Sequence, residues 1–141
     1  MEKIDKKKIT ILGGGISGIS AAKLAYEFGA EVFISDKNNI NSDEIKKFKF
    51  ESGKHSNKIY ECDFAVISPG IDPRQHFVQE FDSKNIPIVS EIDFSSWFTT
   101  SPIIAVTGSN GKTTTVSLIN KILSSGGIDS MLGGNIGVSF S

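Results

Sequence analysis

The feature that most restricts the fold lies near the start of the chain. Ile9-Thr10-Ile11-Leu12 is a short apolar run leading into Gly13-Gly14-Gly15-Ile16-Ser17-Gly18, a Gly-x-Gly-x-x-Gly turn. In such a turn the first glycine permits a tight reversal. The second lets backbone approach a phosphate, and the third lets a helix pack closely on a strand. Ile16, Ile19, Leu24, Ala25 and Phe28 then recur at roughly helical spacing, and Gly29 supplies a left-handed stop. Glu31-Val32-Phe33-Ile34-Ser35 predicts a second strand, with Asp36 just past its end. An acidic side chain there accepts hydrogen bonds from a nucleotide's ribose or base, or serves simply as a turn residue. Strand, helix and strand in this order predict a parallel α/β sheet.

The rest of the first hundred residues extends that sheet. Asn41 and Glu44 predict a capping pair for a short helix through Phe48, and a short strand is expected near Phe50. His55 lies in a polar stretch and is expected on the surface. Phe64-Ala65-Val66-Ile67-Ser68 predicts a buried strand that Pro69-Gly70 ends abruptly. Ligands of open parallel sheets bind outside the carboxyl ends of strands, so Gly70 belongs to the same rim as the glycine turn and Asp36. A helix carrying Phe77, Val78 and Phe81, a peripheral strand over Ile86-Pro87-Ile88-Val89 and a short helix with Trp97 as a packing residue complete the set.

A second glycine motif follows. Ile103-Ile104-Ala105-Val106 predicts a strand entering Thr107-Gly108-Ser109-Asn110-Gly111-Lys112-Thr113-Thr114, with an amphipathic helix over residues 116–123. Loops of this kind turn backbone N–H groups around a polyanion at the positive end of a helix dipole. Lys112 adds a charge for the terminal phosphates and Thr113 a hydroxyl for magnesium. The general pattern has a glycine six residues before the lysine, and Val106 stands there. A strand is also expected over residues 129–132.

Thr99-Thr100-Ser101-Pro102 is small and polar, and a boundary is expected there. The expectation is a Rossmann-like domain over residues 1–98, a linker over 99–102, and an incomplete phosphate-loop α/β domain over 103–141. The apolar faces of residues 103–106 and 116–123 lack further strands to cover them. Self-association or docking on the first domain is therefore expected. The 141 residues carry a net charge of −1, which argues against general attraction to nucleic acid or anionic membrane. Cys62 is the single cysteine, which excludes an intrachain disulfide framework and suits a reducing compartment; it is expected to pack as a small hydrophobe. With no signal-peptide core and no long apolar run, the expected location is the cytoplasm.

Two nucleotide-type sites in this order resemble the Mur ligase family of peptidoglycan synthesis. The likeness rests on residues 106–114, whose loop with valine in place of the first glycine is similar to the family's form. Gly13 to Gly18, Ser68-Pro69-Gly70-Ile71 and Gly133-Gly134-Asn135-Ile136-Gly137 resemble its D-glutamate-adding members. The resemblance implies an ATP-dependent amide ligase that joins D-glutamate to UDP-N-acetylmuramoyl-L-alanine through an acyl phosphate. It implies that Gly15, Ile16 and Ser17 lie at the pyrophosphate, Asp36 and Lys37 near the uracil, Gly70 beside the ligand, and Asn135 on the sugar nucleotide. ATP falls to Gly108, Ser109, Asn110, Gly111, Lys112, Thr113 and Thr114, with Lys112 as the catalytic cation and Thr113 on Mg2+. The family's later magnesium-binding glutamate, modified lysine and third domain have no counterpart in these residues. The expectation is thus a fragment that binds the UDP substrate without completing ligation. Three rivals stand beside it: an NAD-dependent oxidoreductase, another amide ligase of the family, and a non-enzymatic nucleotide-binding module.

Overall fold

The computed structural model describes residues 4–40, 42–134 and 140–141. The chain divides into two compact units, Met1–Thr99 and Thr100–Phe140.

In the first unit five parallel strands form one sheet: β1 Lys8–Leu12, β2 Glu31–Asp36, β3 Lys49–Ser52, β4 Phe64–Ile67 and β5 Ile88–Ser90. Their spatial order is β3-β2-β1-β4-β5. The chain thus builds outward from β1 in one direction, returns, and builds outward in the other. The change of direction falls between β1 and β4, where a crevice opens at the carboxyl ends of the strands.

Side chains alternate between the two faces of the sheet. Ile9, Ile11, Val32, Ile34 and Val66 point to one face and are covered by helix α1, Ile16–Glu27, and by Phe94 of α3, Glu91–Ser96. Helix α1 buries Gly18, Ile19, Ala21, Ala22 and Ala25, a stripe at helical spacing whose small members let the helix lie close to the strands. Leu12 and Ala65 point to the opposite face, where Ile59 and Phe81 close the core. Phe81 comes from α2, His76–Ser83. Trp97 packs against Phe64 and Phe94, with ring centroids 5.6 Å from each, as a packing residue should.

Two local expectations in this unit need correction. The helix expected up to Phe48 is a short 3₁₀ segment, Asp43–Lys47, and its cap is Ser42, whose hydroxyl accepts from the Glu44 N–H at 3.3 Å. Asn41, expected to be that cap, lies outside the described residues. His55 is not a free surface group. It is half-buried, and its ring stacks on Phe77 with centroids 4.2 Å apart.

The second unit contains α4, Lys112–Ser125, which buries none of its residues. Residues 103–106, expected to form a strand, are not in one, and neither are residues 129–132. A strand satisfies its N–H and C=O groups only through a neighbour, whereas a helix satisfies them internally. Among the described residues no strand pairs with either segment, so the helix forms and the strands do not. No helix among the described residues is long and apolar enough to cross a membrane.

Candidate functional site: a glycine turn at the sheet's change of direction

The glycine turn closes over the end of β1, and three of its contacts explain its composition. Gly13 has φ +101°, a conformation that disfavours side chains, and its N–H donates to the Ser35 carbonyl at 2.8 Å. At Gly14 a Cβ would lie 2.4 Å from Ile40 Cδ1, because Ile40 folds over the turn. At Gly18 a Cβ would lie 1.9 Å from the Gly13 carbonyl oxygen, so the helix closes directly on the turn. Gly15 differs from these three: it is exposed, and a Cβ there would meet nothing within 4 Å.

Gly15 is also the residue from which α1 starts. No side chain caps this helix and its first turn carries no acidic residue. The first N–H groups of a helix have no partner within it, and they carry the positive end of the dipole. Ile16 is 82% exposed and Ser17 is half-buried at this opening. Across the crevice, at the end of β4, the Ser68 hydroxyl is buried with no hydrogen-bond partner among the described residues. It lies against the turn, 2.7 Å from where a Gly13 Cβ would be. A buried, unpaired hydroxyl is uncommon and marks a place where a further polar partner fits. Gly70, just beyond, is exposed with open space around its Cα.

Asp36 is built into the turn. One carboxylate oxygen accepts the Gly14 N–H at 2.7 Å and the other accepts the Asn38 N–H at 2.8 Å. It therefore ties the glycine turn to the loop after β2, and each oxygen keeps a lone pair for a further donor. Lys37 is exposed beside it. Between the first turns of α1 and the loop after β2 an open groove of about 500 Å³ is lined by Gly14, Gly15, Ile16, Ile19, Ile40 and the ion-paired Lys23 and Glu44, among others.

Sequence reasoning missed a polar cluster at the ends of β2 and β3. Ser35 is fully buried, and its hydroxyl oxygen lies 2.7 Å from Glu51 Oε1 and 2.7 Å from His55 Nδ1. Glu51 also accepts the Ser56 N–H at 2.8 Å and the Ser56 hydroxyl at 2.5 Å. Burial alone would raise the Glu51 carboxyl, but the bonds from Ser56 and Ser35 and the nearby His55 bring it below its ordinary value. Burial pushes the His55 imidazole down, against the opposing pull of Asp36 and Glu51. Cys62 offers no nucleophile: it is half-buried, its thiol contacts the Ile59 carbonyl at 3.4 Å, and burial raises its pKa.

In the second unit the loop over residues 108–111 turns through two glycines at positive φ, +144° at Gly108 and +77° at Gly111. Gly111 starts α4 in the left-handed conformation with no side-chain cap. Lys112 folds back on this loop, its Nζ donating to the Gly108 carbonyl and, at 3.4 Å, to that of Ser109. Thr113 and Thr114 are exposed in the first turn, while Thr115 donates its hydroxyl to the Gly111 carbonyl at 2.9 Å. Asn135 lies outside the described residues.

A parallel sheet in this order, with its glycine turn at the change of direction, defines a Rossmann-type nucleotide-binding domain, and the chain carrying it belongs to the Mur ligase family. Within that family it is similar to the UDP-N-acetylmuramoylalanine–D-glutamate ligases. Residues 8–77 match the MurD N-terminal domain family. A ligase of that name from Christiangramia forsetii is 46% identical over 140 residues, spanning 95% of this chain and 32% of the relative. The chain therefore spans about a third of the length of the curated relatives it matches. Among solved structures, a UDP-N-acetylmuramate:L-alanyl-γ-D-glutamyl-meso-diaminopimelate ligase from Neisseria meningitides superposes with a TM-score of 0.59 at 24% identity, covering 95% of this chain and 46% of that one. The precorrin-2 dehydrogenase SirC superposes at 0.50 and 16% identity, covering 89% and 69%. These two likenesses show the fold alone, and they show it shared by ligases and dehydrogenases.

Proposed function

We propose that this chain is the substrate-binding domain, residues 1–98, and the opening of the ATP-binding domain, residues 103–141, of a cytoplasmic ligase that adds D-glutamate to UDP-N-acetylmuramoyl-L-alanine. The observation that carries the reading is the open start of α1. Gly15, Ile16 and Ser17 present an uncapped helix end with no acidic residue in its first turn, and the Ser68 hydroxyl, unpaired among the described residues, faces the same turn. That donor set suits a diphosphate. Asp36 and Lys37 stand where the nucleoside follows, with Gly70 on the opposite wall and Asn135 assigned to the sugar nucleotide by resemblance. The dehydrogenase alternative shares the fold, but it leaves residues 108–114 without a role.

The residues of the second loop also fit their assigned ligand. Two left-handed glycines and an uncapped helix start suit a triphosphate, and Lys112 is already within reach of the loop it would share with phosphate oxygens. In this reading Gly108, Ser109, Asn110, Gly111 and Thr114 hold ATP, Thr113 supplies a hydroxyl to Mg2+, and Lys112 neutralises charge during transfer. Bound ATP supplies the phosphoryl group that makes a carboxylate reactive toward an amine. Self-association through the apolar surface of the second unit, where Leu118 and Ile122 are exposed, belongs to the same proposal.

Calorimetric titration with UDP-N-acetylmuramoyl-L-alanine, with NADH run in parallel, tests it. Saturable binding of the UDP compound, weakened about tenfold or more by Asp36→Ala, is expected. Binding of NADH in its place would overturn the assignment.

A further inference from the structure

The cluster behind Asp36 has a direction that can be worked out by counting protons. The Glu51 carboxylate only accepts, and it takes two bonds from Ser56 besides that of Ser35. The single Ser35 hydroxyl proton therefore goes to Glu51. Ser35 Oγ then has only lone pairs to offer His55, so the proton between them belongs to His55 Nδ1. The relay runs His55 Nδ1–H to Ser35 O–H to Glu51. It sets the neutral ring in the tautomer whose Nε2 carries a lone pair. Among the described residues Nε2 has no hydrogen-bond partner.

The location of this ring matters as much as its tautomer. Ser35 is the residue before Asp36, and its carbonyl accepts the Gly13 N–H at 2.8 Å. The ring stacks on Phe77 in the first turn of α2, the helix that follows β4. His55 thus bridges from the ends of β2 and β3 to the element beyond β4, beside Asp36 and Lys37, which act on it electrostatically. A nucleotide whose diphosphate sits on the start of α1 has its nucleoside at the end of β2, beside Asp36 and Lys37.

We propose that His55 is a base-recognition residue, its Nε2 accepting the imide N3–H of a uracil ring. The inference rests on the UDP-substrate reading above and deepens it. Ser35 and Glu51 are positioning residues: they hold the tautomer without touching the ligand. Phe77 holds the plane of the ring.

Binding of UDP and of UDP methylated at N3 to the 141-residue chain and to its His55→Ala variant separates the possibilities. In the wild-type chain N3 methylation is expected to weaken binding about tenfold. In His55→Ala, UDP itself binds about tenfold more weakly and the methylation penalty shrinks to about twofold or less. An undiminished penalty in the variant overturns the role of His55 while the UDP reading stands. Failure of the wild-type chain to bind UDP or UDP-N-acetylmuramoyl-L-alanine overturns both. Nitrogen-15 NMR of the wild-type imidazole gives a second readout that needs no variant. The expected spectrum shows a protonated Nδ1 and a bare Nε2 whose resonance moves upfield on adding UDP. A protonated Nε2, or one that UDP leaves unmoved, overturns the proposal.

Discussion

Each unit of this chain feeds a glycine loop into a helix, but the two helices meet different fates. Helix α1 buries five residues against a sheet, and its loop is braced by Asp36, Ile40 and Ser68. Helix α4 buries none, and its loop is held by its own Lys112 and Thr115. The backbone devices are alike: a left-handed glycine in the turn and a helix start without a side-chain cap. The difference lies in what surrounds them. A glycine loop and a helix are local structures that a short segment can form, whereas the strand that should lead into the second loop needs a neighbour. The first unit thus holds its glycine turn in a folded sheet, while the second carries its motif on a helix whose Leu118 and Ile122 are exposed.

That contrast can be tested by substitution. The largest difference is expected from truncating one large apolar side chain in each unit. Phe81 is fully buried and Leu118 is 56% exposed. Phe81→Ala should cost about 3–5 kcal/mol in urea unfolding of the first unit. Leu118→Ala should fall within about 0.5 kcal/mol. Similar losses would mean that α4 is packed after all.

Glycine replacements sharpen the comparison at the loops. Gly18→Ala drives a methyl into the Gly13 carbonyl and should cost the first unit about 1–3 kcal/mol. Gly111→Ala meets open space and is penalised only by its left-handed backbone, about 1–2 kcal/mol confined to α4. Amide exchange should then quicken along α4 and leave β1 and β2 unchanged. Asp36→Ala removes the acceptor of two backbone N–H groups and should cost about 1 kcal/mol, a modest figure because the carboxylate is partly exposed. The Gly14 amide should exchange faster in that variant.

The smallest effect is a pH dependence peculiar to the first unit. The folded state depresses His55 below its usual 6.5, so the unfolded chain binds the proton first as pH falls. The stability linked to His55 is fully present above 6.5 and is lost as pH drops from there through the lower folded value. Glu51, depressed below 4.5, adds a second loss further into acid. Melting temperatures across this range should fall in two steps, and His55→Phe should erase the first. A single step in the wild-type chain would contradict the burial of His55.

Much of the candidate site was legible because its determinants are close in sequence. The alternation of apolar runs and glycines is enough to place β1, α1, β2 and β4, and Asp36 falls at a strand end that the pattern marks. His55 was not legible. Its partner Ser35 lies twenty residues away, and the two meet because β3 pairs in parallel with β2, setting Ser35 opposite Glu51. Ile40 over Gly14 and the unpaired Ser68 hydroxyl were hidden for the same reason: each is defined by a neighbour from another segment.

The sequence by itself determined what depends on near neighbours: where the long helices run and where glycines turn the chain. The tertiary structure decided what depends on distant ones. It determined that residues 103–106 remain unpaired, that Asp36 braces the turn, and that an unremarkable histidine is held in one tautomer at the rim. Helices and turns close their hydrogen bonds within a few residues, but strands, buried hydroxyls and proton relays take their partners from wherever the fold brings them.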